Sequence, residues 1–567
     1  MGLRGDGGLG SRGRSEICDG HDRVRAPRRS DGTHRSARCP RFPGRQAAES
    51  PGDGRQDGHA EFRRRCPLVH LSSPSSHPVF LACVPSPGIP AECRWTGHCR
   101  QQAEEGGGIV RISVIGTGYL GATHAACMAE LGFDVIGVDI DPAKIERLAR
   151  GELPFHEPGL PELIVKHVDS GRLRFTTDYA EVGGWADVHF IGVGTPQRSG
   201  EHAADMRYVD AAVTSLAESI SKDALIVGKS TVPVGTADRL AGLLAQLRAA
   251  NGLPGTVELA WNPEFLREGF AVKDTLTPDR IVVGVASEHA EQVLREVYAA
   301  PLAADTPWIS TDFPTAELVK VAANAFLATK ISFINAFSEI TEAVGGDIRT
   351  LADAIGHDAR IGRRFLNAGV GFGGGCLPKD IRALQARAAE LGLTSTMRFL
   401  SEMDAINLRR RERVVDLAVD VLAADAGHRR AAPVQALQGA RIAILGVAFK
   451  PDSDDVRDSP ALDVANRLYT LGADTAVYDP EANANAAARF PRLDYVDSVE
   501  EALRDADLAI LLTEWREFRE LDPARVTELM ATPRLIDGRN VLDRDAWAAA
   551  GVPVVGMGQK VVHGASA

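Results

Sequence analysis

The chain is poor in cysteine over most of its length, and it contains no long hydrophobic run. Beyond residue 108 only Cys127 and Cys376 occur, and two widely separated cysteines do not suggest a disulfide framework. A reducing cytoplasm fits this part of the chain. No apolar stretch approaches the roughly 20 residues of a membrane-spanning helix, so we expect no membrane span.

Residues 1–108 differ from the rest because they lack lysine altogether and hold the other six cysteines. They contain 17 arginines and 12 acidic residues, and their prolines, glycines and serines follow no helical or strand period. Nothing here could bury a core, so we expect disorder over residues 1–109. A basic arm of this kind could bind nucleic acid, and its cysteines could bind metal, but Cys93 and Cys99 lack the paired spacing of a zinc site.

Another hypothesis explains this tail better. It resembles upstream DNA translated from a start codon that was placed too early. The segment "EEGGG" at 104–108 is what a purine-rich ribosome-binding site would encode, and Val110 follows as a plausible GTG start. The segment is then expected to carry no function of its own, neither nucleic-acid binding nor metal binding.

In the rest of the chain, by contrast, acidic residues outnumber lysine and arginine. The 567 residues carry a net charge of −12, and those after residue 108 hold 47 basic and 64 acidic residues. This length predicts several domains, and this charge implies no general attraction to nucleic acid or to anionic membranes. Any anionic ligand must then be held by local lysines and helix N-termini.

The segment "VRISVIGTGYLGATHAACMAELGFDVIGVDID" predicts a dinucleotide-binding unit. A β-branched strand precedes Gly116, Gly118 and Gly121, a helical stretch follows, and a second strand ends at Asp139. The glycines allow a tight turn close to a pyrophosphate, and the acid can hydrogen-bond the adenosine ribose. A carboxylate there disfavours a 2′-phosphate, so NAD is expected rather than NADP. The alternative is a glycine turn in a flavodoxin-like fold.

Further short apolar strands follow at 188–196, 224–233, 257–265 and 280–285, and several end in polar residues. Ligands of parallel sheets bind beyond the carboxyl ends of strands, so Thr195 and Thr231 are expected to face the cofactor. Ordinary turn chemistry is an equal alternative for both threonines. In "NPEFLREG", Glu264 could act as an acid or base, although acids near a helix N-terminus are common.

A long helix is predicted over "TAELVKVAANAFLATKISFINAFSEITEAVGGD", which has no internal proline or glycine before Gly345. The helix is mostly apolar or small, so it is expected to be buried on several sides and to offer a dimer surface. Lys320 and Asn324 share one face because they are four residues apart. A buried lysine needs an anionic partner or a function, whereas the alternative is a lysine that reaches out to solvent.

The stretch "GFGGGCLPKD" raises the possibility of a reactive thiol. Its glycines predict a tight loop before Cys376, and Pro378 favours the first turn of a helix that begins there. The helix N-terminus and Lys379 should both favour the thiolate. The alternative is a buried, inert cysteine.

A second strand–turn–helix unit begins near Gly439, but its turn lacks the GxGxxG pattern. It offers Lys450 and Arg457 instead, and a later strand leads to Arg539. Positively charged residues without a pyrophosphate-binding loop suit a phosphorylated ligand other than a second NAD.

Together these features resemble the nucleotide-sugar dehydrogenase family, the UDP-glucose/GDP-mannose dehydrogenases, over essentially all of residues 110–567. The resemblance rests on "GTGYLG", "VGTP", "STVPVGT", "NPEFLREG", "PDRIVVG", "ELVKVAANAFLATKISFIN", "FLNAGVGFGGGCLPKD", "VAFKPDSDDVRDSP" and "DGRN". It implies an α/β fold with two Rossmann-like domains joined by a long central helix and a helical dimerisation domain. The expected parts are an NAD-binding domain at 110–310, a central domain at 311–425 and a UDP-sugar-binding domain at 426–567.

The resemblance implies an NAD-dependent four-electron oxidation of UDP-glucose to UDP-glucuronate. Cys376 would hold the half-oxidised sugar as a thiohemiacetal and then as a thioester. Lys320 would stabilise the developing oxyanion, Asn324 would position the C6 oxygen, and Asp380 would act with a water molecule as a base. Glu264 would assist thioester hydrolysis.

The same resemblance implies the remaining site residues. Thr231 would order the hydrolytic water. The residues expected to contact NAD are Gly116, Gly118, Tyr119, Leu120, Gly121, Asp139, Lys144, Thr195, Thr231, Glu268, Lys379 and Arg457. Those expected to contact the UDP-sugar are Glu264, Phe265, Leu266, Arg267, Lys320, Asn324, Phe365, Leu366, Asn367, Ala368, Gly369, Gly373, Phe449, Lys450 and Arg539, with Arg360 reaching across a dimer. No metal is expected.

Several alternatives stay open within and beyond this family. A GDP-mannose 6-dehydrogenase is the nearest, although "FLREG" and "PDRIVVG" look more like the UDP-glucose branch. A UDP-N-acetylmannosamine dehydrogenase fits less well, because its cysteine motif usually lacks the lysine of "CLPKD". A two-electron hydroxyacid dehydrogenase would need neither the thiol nor a second nucleotide domain, and an inactive nucleotide-sugar-binding regulator would not need all four reacting groups. Gly375 departs from the family, where Ser or Pro usually precedes the cysteine.

Overall fold

The computed structural model describes residues 110–425 and 433–559 of the chain, and the tail predicted at 1–109 lies outside these residues. Within the described residues, fourteen strands form two sheets. The strands of the first sheet are β1 Arg111–Ile115, β2 Asp134–Val138, β3 Leu173–Thr176, β4 Val188–Ile191, β5 Ala224–Gly228, β6 Val257–Trp261, β7 Ile281–Val285 and β8 Trp308–Thr311. Those of the second are β9 Arg441–Leu445, β10 Asp474–Tyr478, β11 Asp494–Tyr495, β12 Leu508–Leu511, β13 Leu535–Asp537 and β14 Val554–Gly556.

Helices connect the strands and form the region between the two sheets. The first set is α1 Tyr119–Glu130, α2 Pro142–Ala149, α3 Leu160–Asp169, α4 Tyr179–Gly183, α5 Arg207–Ser219, α6 Thr236–Asn251, α7 Ala271–Leu276, α8 Glu288–Val297 and α9 Ala299–Ala303. The central set is α10 Phe313–Val344, α11 Ile348–Gly356, α12 Leu377–Glu390 and α13 Arg398–Asp425. The last set is α14 Pro460–Thr470, α15 Asn483–Arg489, α16 Val499–Leu503, α17 Arg516–Arg519, α18 Pro523–Leu529 and α19 Arg544–Ala549, and a short 3₁₀ turn spans Pro433–Leu437.

The first sheet has the strand order β3-β2-β1-β4-β5-β6-β7-β8. All neighbours are parallel except β6 and β7, which pair antiparallel. Consecutive residues of β1 enter cores on opposite faces, so that Val114 packs with Phe190 and Ile115 packs with Val213. The strand order reverses between β1 and β4, and such a reversal opens a crevice for a ligand at the carboxyl ends of the strands.

The second sheet repeats this topology with the order β11-β10-β9-β12-β13-β14, in which all pairs are parallel. The matching order means that the second sheet also reverses, between β9 and β12. The sequence prediction of a second nucleotide-type unit after Gly439 is therefore confirmed, and Lys450 follows its strand β9.

The long helix predicted from the sequence is α10, a helix of 32 residues. Asp312 caps its N-terminus by accepting the N–H of Thr315, Pro314 lies in its first turn, and Gly345 ends it with φ +79°. Small buried residues such as Ala325 and Ala328 let α10 pack closely against α12 and α13. The predicted fold class, two Rossmann-like domains joined by a long central helix, is confirmed, while the predicted domain boundaries stay predictions. Among the described residues, no helix combines the length and the apolar character needed to cross a membrane.

Candidate active site

The dinucleotide loop has the geometry that the glycine pattern predicts. Gly116 has φ +89°, and a Cβ there would come within 2.8 Å of Val193. A Cβ on Gly121 would overlap the carbonyl oxygen of Gly116, whereas Gly118 faces open space. Gly118 precedes α1 without a side-chain cap, so the first N–H groups of α1, from Tyr119 and Leu120 onward, are available to an anion.

Asp139 lies at the end of β2, as predicted, and faces this loop. Its Oδ2 accepts the N–H of Thr117 at 2.8 Å and pairs with Lys144 Nζ at 2.9 Å, and its Oδ1 accepts the N–H of Asp141. Burial alone would raise the pKa of Asp139, but Lys144 and the backbone donors outweigh burial and lower it. The open loop, the uncapped helix and the ionised acid fit the pyrophosphate and ribose of NAD.

Cys376 lies at the N-terminus of α12, as predicted. Gly371 and Gly374 have φ +103° and +84°, which lets the preceding loop turn sharply, and Pro378 occupies the first turn of α12. The N–H of Asp380 donates to the carbonyl of Cys376 at 2.9 Å and closes that turn. The cysteine is unpaired and exposed, so it is not the buried residue of the alternative, and its reactivity stays a prediction.

Two buried polar pairs lie beside this cysteine. Lys320 Nζ is 2.9 Å from Glu264 Oε1, and the side chains are only 5% and 11% exposed. One turn along α10, Asn324 Nδ2 donates to Asp380 Oδ2 at 2.7 Å. The strand end after β6, the helix α10 and the helix α12 thus bring four of the predicted catalytic residues together around the thiol. Because Lys320 is buried and paired, the alternative of a lysine that reaches solvent is wrong.

The surroundings of Cys376 do not favour the thiolate that its helix N-terminus predicts. Although the residue keeps an exposed edge, the protein packed around its sulfur desolvates it. This desolvation, with the charges of Glu264 and Asp380, raises the pKa of Cys376 to about 12, and the opposing effect of Lys320 is smaller. Burial would lower the pKa of Lys320, but the carboxylates of Glu264 and Asp380 outweigh it and raise that pKa.

Lys379 forms contacts with Asp380 and Thr195, and its predicted effect on the thiol stays a prediction. Its Nζ lies 2.7 Å from Asp380 Oδ1 and 3.3 Å from Thr195 Oγ1. Thr195 in turn donates to the carbonyl of Thr231 at 2.8 Å. Both threonines therefore lie at the carboxyl ends of their strands and connect through Lys379 to the Cys376 helix.

Glu268 links the loop after β6 to the second α/β unit. Its carboxylate accepts from Ser453 Oγ at 3.2 Å and lies 3.3 Å from Arg457, and its carbonyl accepts from Lys450 Nζ. Burial and the nearby charge of Asp455 raise the pKa of Glu268 to about 7, against the attraction of Arg457 and Lys450. Burial lowers the pKa of Lys450.

The loop from Phe365 to Gly373, predicted to bind the UDP-sugar, runs between α10 and the second sheet. Phe365 has φ +67° and is partly exposed, whereas Leu366 and Ala368 are buried. A Cβ on Gly373 would overlap the carbonyl oxygen of Asp458, so only glycine fits there. The carbonyl of Ala368 accepts from Asn540 Nδ2 at 3.0 Å, and Arg363 donates to Asn367.

Arg539 lies at this loop, and its guanidinium donates hydrogen bonds to groups of the protein. Its guanidinium donates to the carbonyls of Leu512, Gly371 and Phe449 and lies 3.1 Å from Glu514. These contacts make Arg539 a residue that joins the loop, β12 and the turn at Phe449. A direct contact of Arg539 with the sugar nucleotide stays a prediction.

The remaining predicted residues lie at the edges of this region. The Phe265 ring packs under Arg280 at 3.8 Å and lies 5.7 Å from Lys320 Nζ, and the N–H of Leu266 donates to Glu264 Oε2. Arg267 is turned toward Asp274, at 2.7 Å. Arg360 is not brought to the site: its side chain is 89% exposed and pairs with Asp358. Its predicted role across a dimer stays a prediction.

The sequence analysis did not predict several buried residues whose hydrogen bonds position the site. Glu157, in the loop before α3, accepts three hydrogen bonds from Tyr119 and from the backbone of residues 269–271. Asn335 Oδ1 accepts the N–H of Gly369 at 2.9 Å, and Asn407 bonds both the N–H and the carbonyl of Phe372. A lone polar residue in a loop or a long helix follows no pattern that marks such a contact.

The fold and the site define an NAD-binding oxidoreductase built from two dinucleotide-type sheets with a cysteine on a central helix. Comparison with family models assigns three consecutive matches: the NAD-binding domain of the UDP-glucose/GDP-mannose dehydrogenase family at 110–301, its central domain at 314–409 and its UDP-binding domain at 443–544. The chain belongs to the UDP-glucose/GDP-mannose dehydrogenase family, and the predictions of NAD as cofactor and of an oxidoreductase are confirmed.

Individual relatives agree with this assignment. UDP-glucose 6-dehydrogenase YwqF of Bacillus subtilis is 40% identical over 454 residues, which cover 80% of this chain and 98% of that protein. UDP-glucose 6-dehydrogenase of Rhizobium meliloti is also 40% identical, over 79% of this chain and 100% of that protein. The structure resembles that of a UDP-glucose dehydrogenase from Pyrobaculum islandicum with a TM-score of 0.70 at 36% identity, over 80% of this chain and 99% of that one.

Proposed function

We propose that this protein oxidises the C6 alcohol of UDP-glucose to a carboxylate and reduces two NAD per sugar in succession. The observation that carries this proposal is the convergence of Lys320, Asn324, Asp380 and Glu264 on one cysteine, Cys376. A two-electron alcohol dehydrogenation needs no thiol, whereas a four-electron oxidation needs a group that retains the aldehyde. The names of the relatives and the UDP-binding domain match favour UDP-glucose as the substrate.

The first oxidation removes a proton and a hydride from the C6 alcohol. NAD, when bound, supplies the hydride acceptor for both oxidations. Asp380, through a water molecule, takes the hydroxyl proton, and Asn324 orients the C6 oxygen. Lys320 remains protonated, because its pKa is raised, and its charge stabilises the oxygen as negative charge develops on it.

The aldehyde is then captured by Cys376. The sulfur bonds to C6 while the carbonyl π bond breaks, and Asp380 returns the proton of the first oxidation through water to the C6 oxygen, which gives a thiohemiacetal. Because the pKa of Cys376 is about 12, the thiol is neutral at neutral pH and must lose its proton as it attacks. Asp380 lies one turn along the same helix and can receive that proton through water. Loss of the second hydride and of the hydroxyl proton leaves a thioester.

Hydrolysis regenerates the free cysteine. Water adds to the thioester carbonyl, the bond between C6 and sulfur breaks, and the carboxylate leaves while the thiol recovers a proton. Glu264 lies beside Lys320 and assists the attacking water, and Thr231, at the adjacent strand end, orders it. Lys320 again stabilises the oxyanion, so a single cation serves each tetrahedral species.

The protein is further proposed to be cytoplasmic and to act as a homodimer through α10. Phe326, Phe333 and Ile340 are 65%, 43% and 53% exposed, and their spacing of seven residues places them on one side of the helix. An exposed apolar row of this kind on a long helix suits a second copy of the chain. Arg360 would then approach the partner's sugar site.

The test counts NADH per sugar with the purified enzyme. UDP-glucose should yield two NADH per molecule and UDP-glucuronate, and Cys376→Ala should yield no acid. Cys127→Ala is the matched control, because Cys127 is buried in α1 away from the pairs around Cys376, and it should retain turnover. Two-NADH turnover by Cys376→Ala would refute the mechanism. A higher kcat/KM for GDP-mannose or UDP-N-acetylmannosamine would show that this nucleotide sugar is the preferred substrate. The proposed mechanism would stay unchanged.

A further inference from the structure

Glu157 is a buried carboxylate that the proposed chemistry does not use. It lies in the loop between α2 and α3 and is 2% exposed. Among the described residues, no lysine, arginine or histidine forms an ion pair with it. Burying a charge is costly unless hydrogen bonds compensate, so the bonds that this carboxylate makes must be strong and must hold their donors firmly.

The donors to Glu157 come from two separate parts of the fold. Tyr119 donates its hydroxyl to Oε2 from the first residue of α1, directly after Gly118 of the dinucleotide loop. The N–H groups of Gly269 and Ala271 donate to Oε2 and Oε1 at 2.6 and 2.7 Å. The N–H of Gly269 also approaches the Tyr119 oxygen at 3.1 Å. One carboxylate therefore joins the NAD loop to the backbone just after Glu268.

The same backbone forms the docking point of the second α/β unit. Gly269 has φ +77°, and a Cβ there would lie 2.7 Å from the carbonyl oxygen of Asp452. Lys450 donates to the carbonyl of Glu268, and Ser453 donates to its carboxylate. On the NAD side Glu157 holds Gly269 and Ala271, and on the side of the UDP-binding domain residues 450–453 hold the preceding Glu268.

We propose that Glu157 is a positioning residue that couples the NAD site to the UDP-sugar site. Cofactor bound at the first turn of α1 fixes Tyr119, Tyr119 and Glu157 fix residues 269–271, and these hold the Lys450 turn in its place. By linkage, each nucleotide then tightens binding of the other by the same factor, typically about 5-fold or more for coupled sites. The inference rests on the proposed ligands, NAD and a UDP-sugar.

The test measures binding without turnover. The Kd of UDP is determined by calorimetry for the full-length protein, alone and with saturating NADH. The wild type should bind UDP at least about five times more tightly with NADH. Glu157→Gln keeps the shape of the side chain but sets an amide N–H₂ against N–H donors, so its ratio should fall below about two. Glu162→Gln, an exposed acid on α3, is the matched control and should keep the wild-type ratio.

The outcomes separate a coupling role from a merely structural one. Weaker binding of both nucleotides by Glu157→Gln with an unchanged ratio would overturn the proposal, and so would a ratio near one in the wild type. If Glu157→Gln does not fold, as judged by circular dichroism, Tyr119→Phe decides: it removes one hydroxyl and leaves both backbone bonds, and its ratio should fall. An unchanged ratio in Tyr119→Phe would then overturn the coupling. Failure of UDP to bind the wild type would overturn the proposed function as well.

Discussion

The ammonium of Lys320 lies 2.9 Å from the carboxylate of Glu264, and both side chains are almost completely buried. Removing one partner of a buried pair strands the other charge, which costs about 3–5 kcal/mol. Lys320→Met should therefore lower the stability of the fold as well as kcat, and loss of an oxyanion donor alone costs about 10²–10³ in kcat.

A matched control separates this effect from the loss of any lysine. Lys166 forms an ion pair with Glu130 at 2.6 Å, but the lysine is 57% exposed. Lys166→Met should change stability by no more than about 1 kcal/mol and leave kcat unchanged. Steady-state kinetics and thermal denaturation of both variants test this, and a kcat of Lys320→Met within tenfold of the wild type would contradict the assigned role.

The raised pKa of Cys376 predicts slow alkylation of the free enzyme. With a pKa of about 12, the thiol should react with iodoacetamide at pH 8 far more slowly than an ordinary cysteine, whose pKa is about 8.5. Lys320→Met should slow it further, because Lys320 lowers this pKa. Peptide mass mapping follows Cys376 separately from the other cysteines, and fast labelling at neutral pH would contradict the prediction.

Much of the geometry of this site can be predicted from local sequence, whereas its electrostatics cannot. The GxGxxG loop, the acid that ends β2 and the shared face of Lys320 and Asn324 depend on spacing within one element, so they could be predicted. The pKa of Cys376 could not be, because desolvation by the surrounding protein and the charge of Glu264, which follows β6 far away in the sequence, reverse the expectation drawn from its own helix. Glu157 was missed for the same reason, since its donors are separated from it along the chain.

Two glycines before Cys376 should respond differently to an added methyl group. A Cβ on Gly373 would overlap the backbone carbonyl of Asp458, whereas a Cβ on Gly375 would overlap only the guanidinium end of Arg457. Backbone cannot move as easily as a flexible side chain, so Gly373→Ala should cost about 1–3 kcal/mol and most of the activity. Gly375→Ala should keep the fold and turnover, with an altered KM for NAD if Arg457 contacts it.

The measurement for this pair is thermal denaturation together with KM for each nucleotide. Equal losses in the two variants would show that the Arg457 side chain is as fixed as the backbone, which would contradict the prediction.

Glu317 should make the stability of the fold depend on pH. This buried residue of α10 accepts the N–H groups of Gly235 and Ala237 at 2.7 Å, and burial raises its pKa to about 7. The carboxyl group of Glu317 therefore stays protonated in the folded protein between about pH 4.3, which is its pKa in the unfolded chain, and pH 7. Its stabilising contribution is complete below that window and is lost as the pH rises through it, by up to about 3 kcal/mol.

Glu317→Gln cannot titrate and should remove this dependence. The difference in Tm between the wild type and the variant should shift in favour of the variant as the pH rises from 5 to 8. Glu288→Gln, in the exposed first turn of α8, serves as the control and should follow the wild type. A constant difference between the wild type and Glu317→Gln across this range would contradict the raised pKa.

The exposed row on α10 predicts the assembly of the enzyme. Phe333 is 43% exposed at the centre of the row formed with Phe326 and Ile340. Phe333→Glu places a charge where a second copy would pack, and burying an unpaired charge is unfavourable, so a dimer should dissociate at micromolar concentration. Analytical ultracentrifugation measures this directly. Tyr208→Glu, at an exposed aromatic on α5, is the control and should stay dimeric, whereas an unchanged mass for Phe333→Glu would exclude α10 as the interface.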